Sequence, residues 1–396
     1  MRTLKWALLL SCVLVATSTM QSGAKQFVRP APGQNPPYSL AVKAGGMIYV
    51  SGTLPTDDKG DIKVQTGQVF DNIRNVLKQA GSSMDNVVSA TVMLQNAADF
   101  PAVDQMYREQ FKGEPPARTT VFGDMVRPGA LLEIQVTAVP NGAERKAILP
   151  AGWMKPTSPY NYAMKTGDTL FLSGLVSRNG KDNSVVAGDV AAQTKVVMDN
   201  AGEILKAAGM SYGDLVSSRV AIRDITRFED MNKVYRTYWE KDRPVRATVQ
   251  AGLPGTFDVE ITMIAIKGSS PHEVIIPPAA DGTPGQAGPN FSPAIKVGNR
   301  LFISGGMGNT DTNKGDMKAQ TAETLARLGR SLKAAGFDFK DVVSSEVWIT
   351  DVSRFADMNE GYRPVFPTDP PVRATIGIPA LASRDAIVEI ALTAAK

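Results

Sequence analysis

Cysteine and histidine are almost missing from this chain of 396 residues, which holds one of each, Cys12 and His272. A single cysteine cannot close an intramolecular disulfide. Cys12 also falls in an N-terminal stretch read below as a removable leader, so the remaining chain has no thiol nucleophile and no thiolate metal ligand. With one histidine, a Cys/His zinc site and a two-histidine ribonuclease mechanism both lack their residues. A charge bias is missing too. The formal net charge is +4, from 43 basic and 39 acidic side chains, which is no electrostatic footprint for nucleic acid or an anionic membrane. Beyond the N-terminus no run is long and apolar enough to cross a bilayer.

What is present begins with "MRTLKWALLLSCVLVATSTMQSGAKQ". Arg2 and Lys5 give it a basic start, residues 7–16 are apolar, and Ser22, Gly23 and Ala24 form a small-residue cleavage site. This is the pattern of a secretory signal peptide over residues 1–24, and it implies an exported chain, periplasmic or extracellular, with no membrane contact in its mature form. Lipid attachment at Cys12 ranks second, because the apolar run before it is very short. The full chain is 43% hydrophobic and 21% charged, as in ordinary globular proteins, and its length suggests two or three domains.

Internal repetition organises the chain. "PYSLAVKAGGMIYVSG", "PYNYAMKTGDTLFLSG" and "NFSPAIKVGNRLFISG" align, each with an aromatic residue (Tyr38, Tyr160, Phe291) 13 residues before a Ser-Gly pair. The pairs are Ser51-Gly52, Ser173-Gly174 and Ser304-Gly305. A helical stretch ending near "AG" follows, then a β-branched strand, a short amphipathic helix, and a strand that carries Arg118, Arg246 or Arg373. A last strand holds Glu133, Glu260 or Glu389. The unit reads β-β-α-β-α-β-β, an α+β class. The division is leader 1–24, repeat 25–140, linker 141–158, repeat 159–267, linker 268–289 and repeat 290–396. In the last strand Ile134, Val136 and Ala138 alternate with Glu133, Gln135 and Thr137, so the first set packs under helices and the glutamate faces the other way. Sheets with one uncovered face need partners, and three units can cover one another about a pseudo-threefold axis.

Arg118 shares a strand face with Thr120, as do Arg246 with Thr248 and Arg373 with Thr375. A guanidinium matches a carboxylate bidentately, so one arginine per unit is a candidate grip for an acid group, with a plain interface ion pair as the alternative. The glutamates follow their arginines by 15, 14 and 16 residues, a spacing that suits a hairpin bringing both groups to one cleft. The nearby cation would keep the carboxylate ionised. The Ser-Gly pairs offer a hydroxyl and close backbone approach, or simply end a strand tightly.

These pieces in this order, the "PY…SG" opening, the "AG…VV" junction, the "PAR[ST]" strand and the closing "[LV]E" strand, resemble the Rid/YjgF family, the reactive-intermediate deaminases also labelled endoribonuclease L-PSP. The likeness extends over residues 30–396, three times in succession. It implies chorismate-mutase-like YjgF-type units and, since members are usually trimers with ligand clefts between subunits, a one-chain pseudo-trimer. It also implies roles: the arginine on the carboxylate of a small 2-imino or 2-keto acid, the glutamate on a water, and the tyrosine hydroxyl of Tyr38 and Tyr160 at the ligand. Phe291 lacks that hydroxyl. The family's asparagine, three residues before a tyrosine in the short helix, is matched by Asn232 and Asn359, whereas Asp104 stands in the first copy. Thr120, Thr248 and Thr375 replace a cysteine found in many members.

The implied reaction is hydrolysis of enamine or imine acids of the 2-aminoacrylate type to 2-keto acids and ammonia, with no metal or organic cofactor. The alternative is a non-catalytic module that binds small carboxylates in the same clefts, a reading the leader favours. The endoribonuclease activity of the family label fits poorly with near-neutral charge and one histidine.

Overall fold

Long helices with matching caps mark the three repeats in the computed structural model, which describes residues 25–268 and 270–396. The leader reading and Cys12 lie outside the described residues. The helices are Ile62–Gln79, Val190–Ala207 and Met317–Ala334. Asp61, Asp189 and Asp316 cap their N-termini by accepting from backbone N–H groups of the first turn. Each ends on an alanine followed by glycine. Gly81, Gly209 and Gly336 take φ near +79°, +74° and +77°, and the next N–H returns to the helix at Leu77, Leu205 or Leu332. That is a Schellman stop, which requires the left-handed region glycine enters freely.

Each helix lies on a mixed sheet. In the first repeat the strands run Gln26–Val28, Ala41–Ala44, Met47–Val50, Leu132–Ala138, Val87–Leu94, Ala117–Phe122 across the sheet. The glutamate strand is thus central and the arginine strand lies beyond the strand from Val87. Those last two are parallel, because the short helix Phe100–Gln110 forms a crossover between them. The other repeats follow the same order. Val69, Ile73 and Leu77 pack with Ile134, Val136 and Ala138 in one buried cluster, leaving Glu133 on the sheet's other face.

The two linker readings need correction. Lys146–Ile148 and His272–Ile275 are edge strands, hydrogen-bonded to Ala163–Thr166 and Ala294–Val297. Three- and four-residue strands between prolines and glycines carry too little periodicity to be seen. The unit is therefore β-β-β-α-β-α-β-β. His272 sits in one of these edges, half-buried, with Nε2 at 2.9 Å from the Ile266 carbonyl.

The open sheet faces meet one another. Val88, Ala117, Met164 and Phe171 join the first and second repeats, Val216, Val245, Ile295 and Phe302 the second and third, and Val42, Ala44, Val343 and Val372 the third and first. Met93, Val249 and Ile376, one from each repeat, share a further cluster. The strand Asp124–Met125 of the first repeat pairs with the edge of the third repeat's sheet. Every repeat therefore touches both others. Among the described residues no helix is long and apolar enough to cross a membrane.

Candidate functional site

Three candidate sites lie where an arginine strand faces the next repeat. The backbone N–H of Arg118 donates to Ser173 Oγ at 2.9 Å, that of Arg246 to Ser304 Oγ at 2.9 Å, and that of Arg373 to Ser51 Oγ at 2.9 Å. The rotation is cyclic: first repeat to second, second to third, third to first. Each serine hydroxyl in turn donates to a carbonyl of its own repeat, at Asn161, Ser292 or Ser39. The hydroxyl proton is thus already engaged, and Ser51, Ser173 and Ser304 fix the arginine strands rather than offer a donor to substrate.

The adjoining glycines make room. A Cβ on Gly52 would stand 1.5 Å from Glu133 Oε1, and one on Gly174 or Gly305 would stand 1.8 Å from Glu260 or Glu389 Oε1. Ser173-Gly174 and Ser304-Gly305 sit at register shifts in their strands. Such bulges re-aim the chain and let the carboxyl group rest against bare backbone.

Arginine and glutamate of one repeat do not share a cleft. The strand between them holds them apart, so the hairpin reading of their spacing fails. Glu260 Oε1 instead accepts from the N–H of Thr120, in the preceding repeat, at 3.3 Å. The N–H groups of Thr375 and Thr248 likewise act on Glu133 and Glu389 from the preceding repeat, pulling each carboxyl pKa down. One cleft therefore joins Arg118, Thr120 and Glu260, a second Arg246, Thr248 and Glu389, and a third Arg373, Thr375 and Glu133. Tyr160, Phe291 and Tyr38 respectively complete them, with ring centroids 5.7, 5.4 and 5.8 Å from the guanidinium carbon.

Two further rings enclose each guanidinium. Phe355 and Tyr362 stand 5.5 and 4.8 Å from Arg373, Phe228 and Tyr235 5.4 and 4.9 Å from Arg246, and Phe100 and Tyr107 5.7 and 4.9 Å from Arg118. Ring faces attract a delocalised cation and shed its water. The three phenylalanines were missed as site residues. Their signal was there, a phenylalanine seven residues before a tyrosine in every short helix.

The arginines are 7%, 2% and 4% exposed in chain order. Burial lowers the pKa of Arg246 and Arg373, but a guanidinium remains charged at neutral pH. Nε and Nη1 of Arg246 and Nη1 of Arg373 have no hydrogen-bond partner in the protein, and neither do Oγ1 of Thr248 and Thr375. Donors buried in this way cost roughly 1–3 kcal/mol each until an acceptor arrives. Arg246 Nη2 donates to Asn232 Oδ1 at 2.8 Å, whereas Asn359 Oδ1 finds no partner and does not engage Arg373. In the first cleft a carboxylate is already in place: Arg118 Nη2 donates to Asp104 Oδ1 at 2.7 Å.

The glutamates are not held ionised. Burial pushes the carboxyl groups of Glu133, Glu260 and Glu389 up to about 8, against the opposing pull of the threonine N–H and nearby arginines. Desolvation outweighs the cation because each carboxyl group is buried and offered one backbone donor rather than a facing guanidinium. The phenol of Tyr160 is pushed by burial up to about 12, and that of Tyr38 is raised for the same reason. Both stay protonated and can donate. Among the described residues no group of His, Cys, Asp and Glu side chains is arranged to hold a metal ion.

A profile of the family described as Endoribonuclease L-PSP matches residues 28–140, 152–267 and 284–396. A RutC family protein of Sulfurisphaera tokodaii is 41% identical over 115 residues, covering 29% of this chain and 92% of the relative. The 3-aminoacrylate deaminase RutC of Acinetobacter baylyi is 38% identical over 122 residues (29% of this chain, 97% of the relative). The human 2-iminobutanoate/2-iminopropanoate deaminase is 34% identical over 125 residues (31% and 91%). Among solved structures, the Rid-family protein YyfA of Yersinia pestis is similar at 38% identity, covering 29% of this chain and 99% of its own, with a TM-score of 0.28.

Proposed function

This chain belongs to the Endoribonuclease L-PSP family, and from that premise we propose that it hydrolyses small 2-imino and enamine acids to 2-keto acids and ammonia. The observation that carries the reading is the cleft of the third and first repeats. There a buried Arg373 with a free Nη1 faces, across the repeat boundary, Glu133, whose carboxyl group burial pushes up to about 8. The names of the Acinetobacter and human relatives, each about a third of this chain in span, support it.

The chemistry follows from these groups. The substrate carboxylate would take the unpartnered donors of Arg373 and the hydroxyl of Thr375, which places the C=N carbon toward Glu133. A carboxyl group with a pKa of about 8 is mostly protonated at neutral pH and still reaches the carboxylate form readily, so it can act in both directions. Protonated, it donates to the imine nitrogen and makes the carbon electrophilic. As carboxylate, it accepts a proton from the water that adds to that carbon. The same proton then passes to nitrogen, the C–N bond breaks, ammonia leaves, and the carbinol O–H returns its proton to the Glu133 carboxylate as the keto group forms. The Tyr38 phenol, held protonated, would donate to the carbinol oxygen as it forms. Such imines hydrolyse unaided, so orienting one water beside a fixed charge supplies the rate needed.

Binding without turnover is the second reading, and Phe291 favours it for the cleft of Arg246, which keeps cation and glutamate but receives no phenol from the next repeat. Cleavage of RNA is disfavoured by the burial of all three arginines, which leaves them out of reach of a polymer's phosphates. The leader-like N-terminus supports an exported location.

The test generates 2-aminoacrylate from serine with a dehydratase and follows its decay with and without protein. Acceleration that disappears in the Arg118→Ala, Arg246→Ala, Arg373→Ala triple variant supports the reading. No acceleration, or acceleration untouched in the triple variant, rejects it.

A further inference from the structure

We propose that the cleft between the first and second repeats is a separate site, in which Arg178 grips the acid group of a carboxylic acid with an aromatic or branched apolar body. This rests on the carboxylate-binding reading of the other two clefts. Two departures from the repeat coincide here. The first is Asp104, where the other copies have Asn232 and Asn359. Its carboxylate is bonded to Arg118 at 2.7 Å and lies 3.6 Å from Arg108. Asp104 meets Arg118 at Nη2, the atom that Arg246 gives to the neutral Asn232, so a small acid arriving there meets a neutralised cation and a nearby carboxylate.

The second departure returns a positive charge to the same cavity. Five residues after the Ser-Gly serine, the first and third repeats carry Thr56 and Asn309, and the second carries Arg178. Arg178 lines a cavity of roughly 300 Å³ that also reaches Arg118, Thr120 and Glu260. Its guanidinium carbon stands 5.1 Å from the Phe257 ring centre and Nη1 donates to the Asn183 carbonyl at 2.8 Å. Neither partner neutralises it. The walls between the two arginines are Phe100, Tyr160 and Phe257. A cation displaced from the family position, with aromatic surface leading to it, selects an acid whose body fills that surface. A two- or three-carbon side chain would leave it bare.

Calorimetric titration of the full mature chain tests this, with 2-oxobutanoate as the small acid and phenylpyruvate as the bulky one. The proposal expects 2-oxobutanoate to leave the first cleft empty, and Asp104→Asn to add one further equivalent of it. It expects phenylpyruvate to bind at one site, weakened about 10- to 100-fold by Arg178→Gln, the range of a lost charge-assisted contact. Circular dichroism confirms that each variant is folded, and Arg178→Ala stands in if the glutamine variant is not. Three equivalent 2-oxobutanoate sites in the wild type, or phenylpyruvate affinity unchanged by both Arg178 variants, overturns the proposal. Binding of phenylpyruvate with no 2-oxobutanoate bound anywhere would sink the small-acid function while leaving this site standing. Binding of neither acid would sink both.

Discussion

Thr120 and Glu260 are joined by a backbone N–H bond of 3.3 Å that crosses from one repeat to the next. Thr375 stands in the corresponding relation to Glu133 and Thr248 to Glu389, each N–H lowering the carboxyl pKa across a repeat boundary. No repeat holds a complete site, since the cation comes from one copy and the acid from its neighbour. Covalent linkage of three copies keeps this exchange, and it also lets the copies diverge, which a homotrimer cannot do.

Gly52 leaves the space that the Glu133 carboxyl group occupies. Gly52→Ala would displace that carboxyl, destabilise the chain by about 1–3 kcal/mol and remove the contribution of its cleft to turnover. Urea unfolding and the aminoacrylate assay measure the two effects. Normal stability with full activity would show that the carboxyl does not need this seat.

Ser51 Oγ bridges Arg373 N and the Ser39 carbonyl. Ser51→Ala leaves a buried N–H unpaired, and the expected loss is about 1–3 kcal/mol in denaturant unfolding. A loss well under this range would mean that the strand finds another acceptor.

Protonation couples the site to stability. The three glutamates are raised to about 8 in the folded chain, against about 4.3 when unfolded. The folded state therefore holds protons that the unfolded state releases as pH rises between these values. Stability should be greatest below the unfolded pKa, fall as pH rises toward about 8, and level off above it. Glu133→Gln removes one such group, so its melting temperature should drop less than that of the wild type between about pH 5 and about pH 8. Parallel curves for the two proteins would show that Glu133 is ionised throughout.

Phe291 stands in the cleft of Arg246 where Tyr38 and Tyr160 stand in theirs. If a phenol donor is what that cleft lacks, Phe291→Tyr should raise turnover per chain, by up to about twofold over one working cleft. An unchanged rate at unchanged substrate affinity would show that the hydroxyl takes no part.

Much of this was legible in the sequence because it is local. The helices announce themselves through their Asp and Gly caps, and the inward stripe of Ile134, Val136 and Ala138 sets which face Glu133 takes. Which glutamate meets which arginine was not legible. That depends on a strand inserted between Arg118 and Glu133 by a parallel crossover, and spacing along the chain suggested a hairpin instead. The edge strands at Lys146–Ile148 and His272–Ile275 were hidden because they are short and flanked by Pro and Gly. The ionisation of the glutamates was misjudged because burial, which depends on how three copies close on one another, outweighs the proximity of a cation. Phe100, Phe228 and Phe355 were not singled out, although each is part of the cage around an arginine.

The sharing of one cleft by two repeats is tested most directly by a kinetic double-mutant cycle on Arg373, combined once with Glu133→Gln and once with Glu389→Gln. Aminoacrylate hydrolysis is measured for each glutamate variant in the wild-type and Arg373→Ala backgrounds. The effect of Glu133→Gln should vanish when Arg373 is already gone, and that of Glu389→Gln should be the same in both. The opposite pattern, with Arg373 coupled to the glutamate of its own repeat and indifferent to Glu133, would contradict the arrangement.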